Sequence, residues 1–427
     1  MSRPLIALML CTFCIGTAES VIAGILPPIA HDTGTSLRAV GMLVTIYALI
    51  VVVTGPLVTA LCSRLARRTV LASCMGIFAA GNLICTLSSG YGSLVTGRAI
   101  SALAHSTVIA VAVAAARDLA PAHRKAHASA QVTLGIGLAT VIGVPMGTAI
   151  GEQWGWRTTF ASLTALSGLC LALLTSSNLP QAAQDEVLPA HTGRKPQPSL
   201  SIPPAMLTTT MVIILGTGGI FAFYTYAVAF FTRETGLTTT VTTLLLLLYG
   251  LGGIAGNHLG ARMADRNHQC AALVALAAGT TGLLLLTAAR HTALLIPPLL
   301  IVVGLAYFAT IPALNTQIVA AARTTDPATA LAVNNSAFCT GIALGSWLGG
   351  TLIAQQPLAV LPLAAAALTS LALCLQGAHT WTTRRVTLSL ISPSTTHGSV
   401  PPETQARAQG TPVTPPPADF TTVTDRN

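Results

Sequence analysis

The chain has 427 residues, 52% of them hydrophobic and only 8% charged, with a formal net charge of +9 and a mean hydropathy of +0.71. A soluble domain of that composition would expose a very large apolar surface, so the solvent for most of the chain is lipid. Lipid offers the backbone no hydrogen-bond partner and the apolar runs are too long for barrel strands, which leaves the transmembrane helix as the expected element.

A helix rises about 1.5 Å per residue, so a span needs about 20 apolar residues. Twelve spans are predicted in chain order, at 4–27, 38–61, 69–88, 92–116, 127–150, 157–178, 206–231, 237–260, 270–289, 292–320, 328–354 and 358–378. The first opens like a secretory signal, with Arg3, an apolar stretch and small residues near Ala18, but apolar sequence continues from Val21 to Leu26 and the segment is expected to be retained. Its Cys11 and Cys14 form a C-x-x-C that reads as packing on a helix. The nine cysteines are scattered mostly through helices, so neither disulfides, a metal site nor a cofactor is expected. Residues 179–203, with Pro180, Pro189, Pro196 and Pro198, form a central loop. That loop separates an N-terminal six-helix bundle at 1–178 from a C-terminal one at 204–381. The break between the ninth and tenth spans rests on Arg290, His291 and the pair Pro297 and Pro298. Residues 382–427 are rich in Thr, Pro and Ser and are expected to be a disordered tail.

Charge placement orients the chain. With the N-terminus cytoplasmic, the loops on the outer side hold only Arg38, Arg157, Arg233 and Arg290 of the 21 Lys and Arg, and Arg98 lies in the membrane. The rest fall on inner segments, as the positive-inside rule requires, so both termini are expected to be cytoplasmic. The positive charge then reports contact with the anionic inner leaflet and needs no nucleic-acid partner. Trp154, Trp156, Tyr91 and Trp381 sit where interfacial aromatics belong.

An offset of 202 residues relates the halves: Gly16 to Gly218, Tyr47 to Tyr249, Arg64 to Arg266, Gly143 to Gly345 and Gly147 to Gly349. Each pair falls in corresponding helices or the loop after them. Duplicated six-helix halves around a central site are the architecture of a transporter that rocks between two openings.

The chain resembles the major facilitator superfamily, and within it the twelve-helix drug:proton antiporters, close in pattern to bacterial purine, chloramphenicol and sugar exporters. The resemblance covers about residues 4–378. It rests on GTAESVIAGILPPIAHD in the first helix, the run from Arg98 to His105, GLATVIGVPMGTAIG followed by GWRTTF, FAFYTYAVAFF in the seventh helix, GARMADR, and the stretch from Asn335 to Gly350. It implies an all-α polytopic protein of two pseudo-symmetric bundles, working as a monomer in the bacterial inner membrane. One departure stands out: Thr59, Ser63 and Ala66 occupy the Gly, Asp and Gly positions of the family's loop between helices two and three, whereas the second copy keeps Gly260, Asp265 and Arg266. Arg64, Asp265 and Arg266 are then the remnants of an inner gate.

Glu19 and Arg98 are the only formally charged residues inside the apolar segments, and an ionisable group at bilayer depth is a functional hypothesis by default. Each lies seven residues from the outer end of its helix, so they share a depth of about 10 Å and are candidates for an ion pair. A carboxyl balanced between pairing and desolvation can trade its proton for cargo. His105 lies one heptad from Arg98 on the same helical face, and reads either as a relay or as a hydrogen-bonded core residue. In the family's arrangement helices one, four, seven and ten line the cavity, which makes Phe221, Tyr224, Tyr226, Tyr307 and Asn315 candidates for cargo contact; Phe221, Tyr224 and Tyr226 cannot all share one face. Gly143, Pro145 and Gly147 belong to the family's fifth-helix signature and also suit close helix packing, which is expected against a helix of the other half.

No phosphate loop, zinc spacing or nucleophile constellation is present, so an enzyme is not expected. The leading expectation is a proton-coupled exporter of a small amphipathic compound, a drug or self-made metabolite. The alternatives are a dedicated exporter of a purine, sugar or other polar metabolite, and a non-transporting membrane sensor.

Overall fold

Two adjacent prolines shape the first span. Pro27 and Pro28 lack the N–H that would bond one turn back, and their rings crowd the carbonyls of Ala23 and Gly24, so the helix breaks ahead of them. The result is α1, Arg3–Ser20, and α2, Ile22–Thr33, bent by 49° about Val21. The computed structural model describes residues 3–62, 65–121, 124–177, 203–322 and 327–391. Its further helices are α3 Leu37–Leu61, α4 Arg67–Thr86, α5 Tyr91–Asp118, α6 Lys125–Leu138, α7 Val144–Trp154, α8 Trp156–Ser176, α9 Pro204–Tyr224, α10 Ala227–Arg233, α11 Thr239–Ala288, α12 Ile296–Ala321, α13 Pro327–Ile353 and α14 Leu361–Ile391. There is no strand among the described residues.

Ten of these helical stretches are long and apolar enough to cross a membrane, and the bent α1–α2 pair adds an eleventh. The sequence count of twelve is reached by treating α11 as two spans. At 50 residues it is far longer than a bilayer needs, and Asn267 inside it has φ −160° and ψ 98°, outside the helical region. Both parts pack on α12: Gly252, Gly256 and Gly260 lie against the backbone of Ile301, Leu305 and Ala309, while Gly279 and Gly282 face Ala306 and Val303. A straight rod could not return to the same neighbours, so the chain turns back at Asn267. The break before α12 falls where Arg290, His291 and the prolines place it, with Pro297 and Pro298 in the first turn. Met1–Thr383 form one compact unit. The helix α14 continues to Ile391, past residue 382 where the tail was expected to begin; the remainder of that tail, and almost all of the central loop at 179–203, lie outside the described residues.

The fifth span is interrupted by a π-helical turn at Ala139–Gly143. Pro145 cannot donate to Val141 one turn back, and the wider turn accommodates the missing bond. The segment meets α11 of the other half at Thr140 and Val141, while the glycines around the π turn face their own half. Gly135 lies on Met9 and Thr12, Gly143 on Thr17, Gly147 on Val21 and Thr159, and Gly151 on Ile25 and Thr159. Their face is turned to α1 and α2 of their own half because that is where backbones approach most closely. The second half repeats the arrangement: Gly341 and Gly345 of α13 lie on α9 at Thr217 and Gly218, and Gly349 on Ala222 and Tyr226. Gly16, facing Ile136 and Ala139, and Gly218, facing Gly341 and Gly345, are thus equivalent in contact as well as in offset.

The halves meet along a different seam. Gly41 of α3 receives the Tyr226 ring, Gly350 adjoins Arg38 and Tyr226, and the Thr45 hydroxyl donates to the Ala343 carbonyl at 3.2 Å. Gly250 of α11 sits on the backbone of Thr140 and Val141, at the π turn. The contacts of Gly41, Gly350 and Thr45 lie toward the rim carrying the α2–α3 turn, called here the far rim, and the seam reaches inward to Tyr47, Val51 and Ala102 packed with Cys339. On that rim Trp156 is buried, its indole donating to Asp32 Oδ2 at 3.1 Å, and Arg157 pairs with the same oxygen at 2.5 Å.

Candidate functional site

At the inner end of the seam, a set of polar side chains is sealed from solvent. Arg98 on α5 is fully buried, and His105, two turns along the same helix, and Tyr47 on α3 are exposed by only 4% and 1%. Tyr47 joins the other two: the Arg98 guanidinium carbon lies 4.0 Å from its ring centroid, and its hydroxyl is 3.0 Å from His105 Nδ1. Sequence reading recorded Tyr47 only as the repeat partner of Tyr249, and that partnership was the available signal for it.

Glu19 and Arg98 do not form an ion pair. Arg98 Nη1 donates instead to the carbonyl of Ala18 at 2.7 Å, just ahead of the bend at Val21, while its Nε and Nη2 are buried with no hydrogen-bond partner among the described residues. Glu19 is half-buried beside them. Burying an uncompensated cation costs several kcal/mol, and a desolvated cation–π contact returns roughly 2 kcal/mol. The free edge of Arg98 is therefore a place where a carboxylate is strongly favoured.

Across the seam the second half contributes rings. Phe221 lies 5.7 Å from Tyr224 and 6.1 Å from Tyr307, Tyr224 stacks at 4.9 Å on Tyr249, and Phe308 adjoins both Tyr307 at 5.1 Å and Tyr249 at 6.2 Å. Phe221, Tyr224 and Tyr307 are thus brought together, with Tyr249 and Phe308 completing the cluster. Tyr226 is not part of it. The chain leaves the helix at Thr225 and Tyr226, which turns Tyr226 to the far rim, where its hydroxyl donates to the Ser346 carbonyl at 2.9 Å. Asn315 also lies apart, accepting from Asn334 at 2.6 Å between α12 and α13.

Of the gate residues, Arg64 lies outside the described residues, and Asp265 and Arg266 are exposed beside the turn at Asn267 with no ion pair between described residues. A charged pair does close the first half at that rim, between Arg67 at the start of α4 and Asp118 at the end of α5. Among the described residues no group of acids, histidines and cysteines is placed to hold a metal.

A family model described as the Major Facilitator Superfamily matches residues 8–346. The chain is 33% identical over 356 residues to the uncharacterized MFS-type transporter YtbD of Bacillus subtilis, covering 82% of this chain and 88% of that one. It is 34% identical over 364 residues to the inner membrane transport protein YdhP of Escherichia coli, with the same coverage, 82% and 88%. Among solved structures, a D-xylose–proton symporter superposes with a TM-score of 0.71 at 17% identity, over 88% of this chain and 96% of that one, a likeness of fold alone. The bent helices, the repeated glycine contacts and these matches agree: the chain belongs to the major facilitator superfamily and is a membrane transporter, not an enzyme.

Proposed function

We propose that the protein is a proton-coupled antiporter that exports a small amphipathic organic compound, a drug or a self-made metabolite, by alternating access. It works as a monomer in the bacterial inner membrane with both termini cytoplasmic. The observation that carries this reading is the pair of charges held apart: a half-buried Glu19 beside a fully buried Arg98 whose Nε and Nη2 have no hydrogen-bond partner among the described residues.

With Glu19 protonated, Arg98 is left to the Ala18 carbonyl and the Tyr47 ring. On losing its proton, the carboxylate moves onto the free edge of Arg98, which compensates a charge that is otherwise expensive to bury. That movement falls at the bend of the first span, the helix whose packing on the Gly143 and Gly147 face fixes its place in the half. Proton release is thereby tied to the geometry around the cargo. The seam closed at the far rim fits the state that faces the cytoplasm. Tyr47 and His105 extend the chain of polar groups from Arg98 away from that rim and supply a route for the proton. Arg64, Asp265 and Arg266 serve the inner gate when the bundles rock the other way.

Accumulation of a compound panel is to be compared in cells with and without the protein, with and without a protonophore. Export of at least one amphipathic compound that the protonophore abolishes is expected. Identical accumulation of every compound would remove the reading.

A further inference from the structure

Of the free cysteines, three lie on one interface within the first half, Cys11 and Cys14 on α1 and Cys170 on α8, each fully buried. Cys14 fixes the register. Its Sγ lies 3.4 Å from Ser167 Oγ and donates to the Leu163 carbonyl at 3.7 Å. The first and sixth spans cross the membrane in opposite senses, so three residues back along α1 match three forward along α8, and Cys11 falls opposite Cys170. Depth agrees, because Cys11 is eight residues from the start of α1 at Arg3 and Cys170 six from the end of α8 at Ser176, ends that share one side of the membrane. The Cys170 thiol accordingly has that of Cys11 within hydrogen-bonding reach. Packing alone does not call for sulfur here. At the offset of 202 the second half has Ile213, Gly216 and Ala372 in place of Cys11, Cys14 and Cys170. Gly216 faces Ala372 across the equivalent interface of α9 with α14, and Ile213 and Ala372 belong to one apolar cluster.

From this we infer that Cys11 and Cys170 are an oxidisable dithiol: exposed to a hydroperoxide, the pair closes to a disulfide that ties α1 to α8. Hydrogen peroxide is small and uncharged, and it reaches the pair when the helix interface opens locally. One thiol attacks a peroxide oxygen; the S–O bond forms, the O–O bond breaks, and the thiol proton leaves with the second oxygen as water. The other thiol attacks the resulting sulfenic sulfur; the S–S bond forms, the S–O bond breaks, and the hydroxyl leaves with the second thiol proton as water. Two thiols together give up two electrons, and the peroxide is reduced to two waters. The second step joins groups already in contact, so it outruns further oxidation of the first sulfur. A disulfide needs Cα atoms about 4.4–6.8 Å apart, and the short side chains of Cys14 and Ser167, meeting one turn away, show the two backbones drawn close. Cys14 itself is held by Leu163 and Ser167 and takes no part. The new bond lies about three turns before the bend at Val21, on the helix that carries Glu19 and the Ala18 carbonyl bound by Arg98. Oxidation is thereby a reversible brake on any cycle that flexes the first span, whatever its cargo or coupling ion.

Purified full-length protein in detergent is to be treated with hydrogen peroxide, its disulfides mapped by mass spectrometry, and amide hydrogen exchange followed over residues 17–24. A peptide pair joined through Cys11 and Cys170 is expected, with exchange at the bend slowed severalfold, and dithiothreitol is expected to reverse both. Cys11→Ser and Cys170→Ala, each checked for folding by its melting temperature, are expected to lose both effects, whereas Cys14→Ala keeps them. Oxidation confined to the exposed Cys270 and Cys374, a bond made by Cys14 instead, or a Cys11–Cys170 bond that leaves exchange at the bend unchanged would overturn the inference. The measurement uses neither cargo nor gradient, so loss of the antiport reading leaves it standing, and its own failure leaves that reading untouched.

Discussion

Tyr47 presents its two ends to two different partners: the ring face lies under the Arg98 guanidinium at 4.0 Å, and the hydroxyl reaches His105 Nδ1 at 3.0 Å. Through that one side chain of α3, two residues of α5 are held in place seven positions apart.

The two functions of Tyr47 are separable. Tyr47→Phe removes the hydroxyl contact and keeps the ring, with an expected loss of about 0.5–1.5 kcal/mol. Tyr47→Leu also exposes the buried cation to an aliphatic group, with a further expected loss of about 1–2 kcal/mol. Thermal unfolding in detergent checks the order: a Leu variant no less stable than the Phe variant would show that the ring does not support Arg98.

The repeated glycine contacts differ in what they press on. A methyl at Gly345 would enter the backbone of Gly218, which cannot yield, whereas one at Gly143 would meet the Thr17 side chain, which can rotate. Gly345→Ala is therefore expected to cost about 1–3 kcal/mol and Gly143→Ala clearly less. Gly279→Ala reaches only ordinary contact with Ala306 at 3.5 Å and is expected to be neutral or stabilising, since Gly is the poorer helix former. Melting temperatures of the three variants test the ranking.

Closure of the seam between the halves depends on two other glycines. Gly41 makes room for Tyr226, and Gly250 for the backbone of Thr140 and Val141, in each case across the seam between halves. Gly41→Ala and Gly250→Ala are expected to loosen that seam and to expose Cys339, buried at its inner end. Labelling by a membrane-impermeant thiol reagent, with the modified residue identified by mass spectrometry, is expected to quicken severalfold at Cys339. Unchanged labelling would place the seam's stability elsewhere.

What the sequence disclosed follows the range of the physics involved. Helical spans, the break at Arg290 and Pro297, and the depth of Glu19 and Arg98 depend on composition and rise along one helix, and were legible. Which helix a glycine face meets is a tertiary fact: the spacing of Gly143 and Gly147 marks a close contact but is equally consistent with α1 or with the other half, and the structure selects α1 and α2. Tyr226 was grouped with Phe221 and Tyr224 by proximity in the chain, yet the interruption at Thr225 turns it to the far rim. Tyr47 was visible as half of a repeated pair, but its bridging of Arg98 and His105 needed the packing of α3 on α5.

The central claim is that Glu19 is the group that exchanges its proton for cargo. It is tested most directly in vesicles holding wild type or Glu19→Gln, with uptake of an exported compound followed under an imposed proton gradient and, separately, by cargo exchange without one. The account expects Glu19→Gln to lose the response to the gradient while gradient-free exchange continues, and gradient-driven uptake at the wild-type rate would contradict it.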